Sequence, residues 1–241
     1  MRTTPQTLSA GPVDAAVLES LFDRVPDTAF FIKDAEGRYV AVNESLVARH
    51  GLRDKSQVIG KRPCDICPGE YGGGPSRQDA DVLRSGRPIV DLLEMHWYAP
   101  HEPGWCLTTK LPLRDAGGEI VGLIGVSRDL RAPVDPRAVP RKVAEALNRL
   151  ESRLDEVKTP ADLARMAGMP PHRFARLMKR LFGLTPVRYI LKARITAATR
   201  MLRETGDSVA DVALACGFYD HSAFSRAFRR ATGRTPSEMR G

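Results

Sequence analysis

The chain has 241 residues, 42% hydrophobic, with 37 Lys or Arg against 29 Asp or Glu for a net charge of +8; that length gives two domains enough residues for a core each. The charge is uneven, −3 over residues 1–135 and +11 over 136–241, so the C-terminal half is the one suited to a polyanion. No run of 18 apolar residues exists, the N-terminus lacks an apolar signal core, and the four cysteines (Cys64, Cys67, Cys106, Cys216) are too few for a disulfide scaffold. This composition predicts a cytoplasmic protein with no membrane partner and with free thiols.

Residues 1–19 read as a flexible N-terminus. Ala29–Ile32 and Tyr39–Val42 are apolar runs flanking Asp34-Ala35-Glu36-Gly37 and predict a hairpin, with a short helix following from Glu44 to His50. Gln78–Arg84 reads as a helix ending at Ser85-Gly86. Three strands are then expected over Ile89–Tyr98, Trp105–Leu113 and Ile120–Ser127. This order predicts an α+β domain, an antiparallel sheet with helices, over residues 20–131.

Phe31-Ile32-Lys33-Asp34, Gly60-Lys61, Ser85-Gly86-Arg87-Pro88 and Gly125-Val126-Ser127-Arg128-Asp129-Leu130 resemble the phrases of PAS sensor domains. The resemblance implies a ligand cavity between sheet and helices. His96, Trp97, Trp105 and Cys106, on two strands expected in mid-sheet, are the candidate ligand-binding residues; aromatic residues on strands also serve as core or cross-strand pairs. Haem-sensing PAS domains place an axial His on the long helix, and Pro75–Gly86 contains none. Cys64-Asp65-Ile66-Cys67 has the spacing of a chelating or redox pair, making Cys64 and Cys67 weak metal candidates. His50, His96, His101 and Cys106 complete a metal set only if the fold gathers them, so no metal is assigned and the cofactor stays unknown.

Ala132-Pro133-Val134-Asp135-Pro136 marks a linker over 132–140. Val143, Leu147, Leu150, Leu154 and Val157 alternate at spacings of four and three, predicting a helix from Arg141 to Val157. Its seam suits either a short coiled-coil dimer or the first helix of an all-α domain over 141–241, and a homodimer is expected. The helix is also the expected route of a signal between the domains.

Two related stretches follow. Leu163–Met169, Phe174–Arg180 and Gly183-Leu184-Thr185-Pro186 are repeated as Val212–Phe218, Phe224–Arg230 and Gly233-Arg234-Thr235-Pro236. Each repeat pairs a short helix, a glycine turn at Gly168 or Gly217, and an Arg-rich helix, which is a helix-turn-helix unit. Burial of Phe174, Leu177, Met178 and Leu181 turns Arg173, Arg176, Lys179 and Arg180 outward. Burial of Phe224, Ala227, Phe228 and Ala231 does the same for Ser222, Ser225, Arg226, Arg229 and Arg230.

Base reading is assigned to Arg173, Arg176, His221, Ser222, Ser225 and Arg226; Lys179, Arg180, Arg229 and Arg230 are assigned to phosphates or to plain solubility. Asp220 is placed to cap the second reading helix, whereas the first begins at Pro170-Pro171. Pro186–Arg203 reads as a helix joining the units.

Residues 138–241 resemble the AraC/XylS DNA-binding domain through Met201-Leu202, Val209, Val212-Ala213, Gly217-Phe218, Ser222, Phe224-Ser225-Arg226, Phe228-Arg229-Arg230, Gly233 and Thr235-Pro236-Ser237-Glu238. The resemblance implies seven helices, double-stranded DNA as partner with no cofactor required for binding, contact with RNA polymerase, and a non-enzymatic transcriptional activator governed by a small-molecule effector or redox signal. Pro170-Pro171 departs from the family's Ser-type cap. Two other readings are a constitutive DNA-binding regulator whose PAS domain only dimerises, and a cysteine-dependent DNA-repair protein. The repair proteins resemble a four-cysteine zinc site, and here the N-terminal part has only Cys64, Cys67 and Cys106. No phosphate loop, His-Glu-x-x-His helix or Gly-x-Ser-x-Gly elbow occurs, so no catalytic residue is predicted.

Overall fold

The computed structural model describes residues 14–67, 72–98, 102–130 and 139–240. Five strands, β1 (Thr28–Asp34), β2 (Tyr39–Val42), β3 (Ile89–Tyr98), β4 (Glu102–Arg114) and β5 (Ile120–Asp129), form one sheet in the order β2-β1-β5-β4-β3. Every pairing is antiparallel, with Phe31 opposite Val42 and Gly125, and Trp105 opposite Met95. This order places β3 at the sheet edge rather than in mid-sheet, because β5 returns to pair with β1 and takes the central position.

Helices α2 (Glu44–Arg49), α3 (Pro63–Ile66) and α4 (Gly73–Ser85) lie on one face of the sheet. Phe31, Tyr39, Leu46, Val47, Val82 and Leu123 make the apolar core there. The same layer buries an ionic group: Lys33 pairs with Asp79 of α4, and Lys110 reaches the other Asp79 oxygen at 2.6 Å. Burial alone would raise the Asp79 carboxyl, but Lys110 and then Lys33 outweigh it and hold it below its ordinary value. Burial also pushes Lys33 down to about 8, against the attraction of Asp79.

Helix α1 (Ala15–Phe22) occupies part of the segment read as a flexible N-terminus; residues 1–13 lie outside the described residues. It is held from outside itself. Phe22 stacks on Phe30 at 4.5 Å, and Lys55 bridges Glu19 and Asp23 at 2.7 and 2.8 Å.

Seven helices are described beyond the linker, most of which (132–138) falls outside the described residues: α5 (Arg141–Ser152), α6 (Pro160–Met166), α7 (Pro171–Phe182), α8 (Pro186–Glu204), α9 (Val209–Ala215), α10 (His221–Thr232) and α11 (Pro236–Arg240). The connector helix α5 stops at Ser152, short of the expected Val157. Thr159 already caps α6 with Asp162, and Pro160 starts that helix, so the chain must leave helical geometry between them. Val143, Leu147, Leu150, Leu154 and Val157 are all buried within the chain, so the seam that suited a coiled coil is spent on the domain's own core.

One apolar cluster spans both domains. Leu93, Met95, Trp105 and Leu107, on the outer face of β3 and β4, belong to the same buried group as Leu147, Ile195, Phe224 and Phe228. Trp105 Nε1 donates to Thr196 Oγ1 at 3.0 Å. Alternation along the strands thus sends Leu93, Met95, Trp105 and Leu107 to the helical domain and Glu94, His96, Cys106 and Thr108 inward.

Candidate nucleic-acid interface

Each unit is built by local rules that the residues state openly. In the first, Thr159 caps α6, Gly168 turns the chain at φ +64° and Gly183 ends α7 at φ +67°. In the second, Ser208 caps α9, Gly217 turns at φ +77° and Gly233 ends α10 at φ +76°. These left-handed conformations favour glycine. The two turns differ in surroundings: a Cβ on Gly217 would sit 2.3 Å from the Leu154 carbonyl oxygen, whereas one on Gly168 would meet only the Lys142 side chain at 3.5 Å.

Asp220 caps α10 by accepting from the Ala223 N–H at 2.6 Å, while Pro170 gives α7 no side-chain cap. Phe174, Leu177 and Met178 fix α7, and Phe224, Phe228 and Ala231 fix α10; Leu181 and Ala227, expected inside, are half-buried. Arg173, Arg176, Lys179 and Arg180 are exposed on α7. On α10, His221, Ser222, Arg226, Arg229 and Arg230 are exposed and Ser225 is half-buried.

The helix α8 between the units has 19 residues, about 28 Å at 1.5 Å per residue. That is close to the roughly 34 Å of one DNA turn. The guanidinium groups are always charged and forked to meet phosphate or guanine edges.

The PAS sheet touches the second unit directly. Near the start of β3 a bulge puts Asp91 at φ +50°, its N–H donating to Thr109 Oγ1 at 3.0 Å. The bulge re-aims the strand, and the Asp91 carboxylate lies 3.5 Å from Arg188 Nη1. An open groove of about 510 Å³ runs between β3 and α10, lined by Asp91, Arg188, Ala223, Arg226, Ala227 and Arg230 among others. At 100° per residue, Ala223, Ala227 and Arg230 form the flank toward β3, leaving Ser222, Ser225 and Arg229 on the open side. Arg226 lies at the border of the two. A further tie comes from α4, where Arg77 donates to the Gly233 carbonyl at the end of α10.

The four ligand candidates of the sheet do not share one site. Trp105 faces the helical domain, whereas Cys106 and His96 are on the inner face; the side chain of Trp97 lies outside the described residues, as does His101. Another cavity, about 610 Å³, opens between α3, α4 and the β1–β2 turn and is lined in part by Gly37, Arg62, Cys64 and Asp79. Cys64 is exposed and Cys67 buried, so the pair does not present both thiols to one space. Instead Cys67 Sγ is 3.5 Å from His50 Nδ1. The sequence named His50 and His96 among the residues that the fold would have to gather around the Cys64-x-x-Cys67 pair, but no spacing singled them out; Cys67, not Cys64, is the cysteine that lies beside them.

Residues 163–241 match the family model described as a helix-turn-helix domain, and residues 22–135 match that described as a PAS fold. The probable transcriptional regulator LumQ of Photobacterium leiognathi is 34% identical over 90 residues, 37% of this chain and 36% of that protein. The HTH-type transcriptional activator RhaS of Escherichia fergusonii is 45% identical over 65 residues, 27% of this chain and 23% of its own. The solved DNA-binding domain of AdpA, a global transcriptional factor in complex with a target DNA, is 31% identical, covers 42% of this chain and 91% of that one, and has a TM-score of 0.41. This chain thus spans about a quarter to a third of the length of these curated relatives. Residues 163–241 thus carry an AraC-type helix-turn-helix domain, and residues 22–135 a PAS-fold domain ahead of it.

Proposed function

We propose that the protein is a sequence-specific DNA-binding transcriptional activator whose PAS domain receives a small-molecule or redox signal. The observation that carries the DNA-binding part is the pairing of two exposed Arg-rich helices, α7 and α10, across the rod α8. A span of about 28 Å suits two neighbouring major grooves on one face of the duplex. One chain then does with two units what a simple repressor does with a dimer. Activation is favoured by the likeness to RhaS, a transcriptional activator, and implies contact with RNA polymerase.

The PAS domain is the input because its edge strand packs along α10; an event that moves β3 changes the groove holding Arg226 and Arg230. A homodimer would use a surface other than the buried seam of α5.

Selection of duplexes by the full chain from a random pool tests the DNA-binding reading. Enrichment of a site with two recognised blocks about 10 base pairs apart, bound at least about 1,000-fold tighter than scrambled DNA, is expected. Equal binding of enriched and scrambled duplexes would overturn it.

A further inference from the structure

We propose that His50, Cys67 and His96 form a metal site inside the PAS domain, taking a thiophilic ion of the Zn2+ or Cu+ class. The three residues are far apart in sequence and come from three elements: His50 just past α2, Cys67 just past α3, and His96 on the inner face of β3. Their ligand atoms nevertheless lie within 4.8 Å of one another. A tetrahedral ion with bonds of about 2.3 Å to sulfur and 2.05 Å to nitrogen sets S···N near 3.6 Å and N···N near 3.3 Å. The Cys67–His50 separation of 3.5 Å already meets that requirement, and the rest of the set needs to close by about 1.5 Å at most, a side-chain adjustment.

The chemistry of the donors agrees with the geometry. Cys67 is buried and both imidazoles are half-buried. Burial holds His50 down at about 4 and His96 well below its ordinary value, with the charge of Arg49 acting in the same direction. Neutral imidazole is the form that donates a lone pair to a metal. Burial pushes the Cys67 thiol up to about 11, so an ion must displace its proton; the thiolate so formed and two imidazoles are soft to borderline ligands, the set that selects zinc or cuprous ions over magnesium or calcium.

Arg49 and Lys33 place positive charge nearby. That charge opposes a divalent ion more than a monovalent one, so the two ions are separate arms of the test. Among the described residues no fourth His, Cys, Asp or Glu joins the cluster. A tetrahedral ion would keep one position open, as in zinc sites that bind a further ligand. His96 lies on the strand whose other end, at Val90–Leu93, lines the groove against α10, so occupancy at this site bears on the same strand that meets the reading helix.

The test uses the metal-stripped full chain under anaerobic, reducing conditions, titrated with Zn2+ and with Cu+ in separate arms, each against a chromophoric competitor. Co2+ serves as a spectroscopic stand-in for the zinc arm. One equivalent of either ion bound by the wild type is expected, with thiolate-to-Co2+ charge transfer if the zinc arm is the one filled. Cys67→Ser should lose that charge transfer, and Cys67→Ser and His50→Gln should each weaken binding by at least about 100-fold, beyond what outer-shell losses produce. Cys64→Ser should leave it unchanged. Circular dichroism of each variant separates ligand loss from unfolding. Failure of the wild type to take up either ion, or wild-type affinity in folded Cys67→Ser and His50→Gln, would overturn the site. The readout is metal affinity, so it stands or falls apart from the DNA-binding reading.

Discussion

The two reading helices α7 and α10 are close copies, each 12 residues long, each with a buried Phe near its start and a left-handed glycine at its end. Their neighbours differ. Helix α7 approaches the PAS domain at its C-terminal cap, where Gly183 faces Arg128, while α10 lies along β3 and is tied at its end to α4. The repeat builds two like helix-turn-helix units, and the contact with the PAS sheet gives them different surroundings. On the proposed function, an input to the PAS domain would have two routes to the second unit, the side-chain packing of β3 on α10 and the connector.

The largest way to break this comparison is Trp105→Ala. Trp105 is 7% exposed and joins the sheet to α8 through Thr196, so its truncation should cost about 3–5 kcal/mol in urea unfolding of the full chain. A loss below about 1 kcal/mol would mean that the two domains do not share this core in solution. Next come the two turn glycines. Gly217→Ala must accept both the left-handed backbone and a collision with the Leu154 carbonyl, and should cost about 3 kcal/mol or more. Gly168→Ala meets only a flexible lysine and should cost about 1–2 kcal/mol. Equal costs would remove the asymmetry.

Binding variants sharpen the same contrast. Arg226→Ala should cost on the order of 1–3 kcal/mol on the selected site and relax preference at one base, while Arg230→Ala should weaken all duplexes evenly and flatten the salt slope by about one. Filter binding at several salt concentrations reads both. Equal losses on selected and random DNA for Arg226→Ala would move that residue to the phosphate group. The smallest effect is expected from Asp91→Asn. Its carboxylate faces Arg188 across a half-exposed contact, worth about 0.2–1 kcal/mol after solvent screening. Removing it should tighten DNA binding by a few-fold at low salt, and weaker binding would show that β3 supports the reader rather than competing for its arginines.

Much of this was legible because the rules are local. The 3.6-residue recurrence of Phe174, Leu177 and Met178, the Asp220 cap and the two turn glycines each act within one or two turns of chain, and all appear where those rules place them. The five strands were legible from their apolar runs, although β4 extends back to Glu102 and α4 to Gly73. The connector misled because Leu154 and Val157 stay buried after the helix has ended; apolar spacing reports where side chains go, not what the backbone does between them. Helix α1 lacked a signal since none of its residues is buried, and its anchors, Phe30 and Lys55, come from other elements.

Long-range juxtapositions stayed hidden. Both faces of β3 carry residues fit for burial, so nothing local told that Leu93 and Met95 would meet the helical domain while His96 turned inward. The convergence of His50, Cys67 and His96 likewise depends on how three elements pack, and only one of these residues belonged to a recognisable spacing.

The most direct measurement is guanine-methylation interference on the selected duplex, comparing the full wild-type chain with Arg176→Ala and Arg226→Ala. Two major-groove blocks about one helical turn apart are predicted, one lost in each variant. A single block, or the same block weakened by both variants, would contradict the account of two separate readers held on one rod.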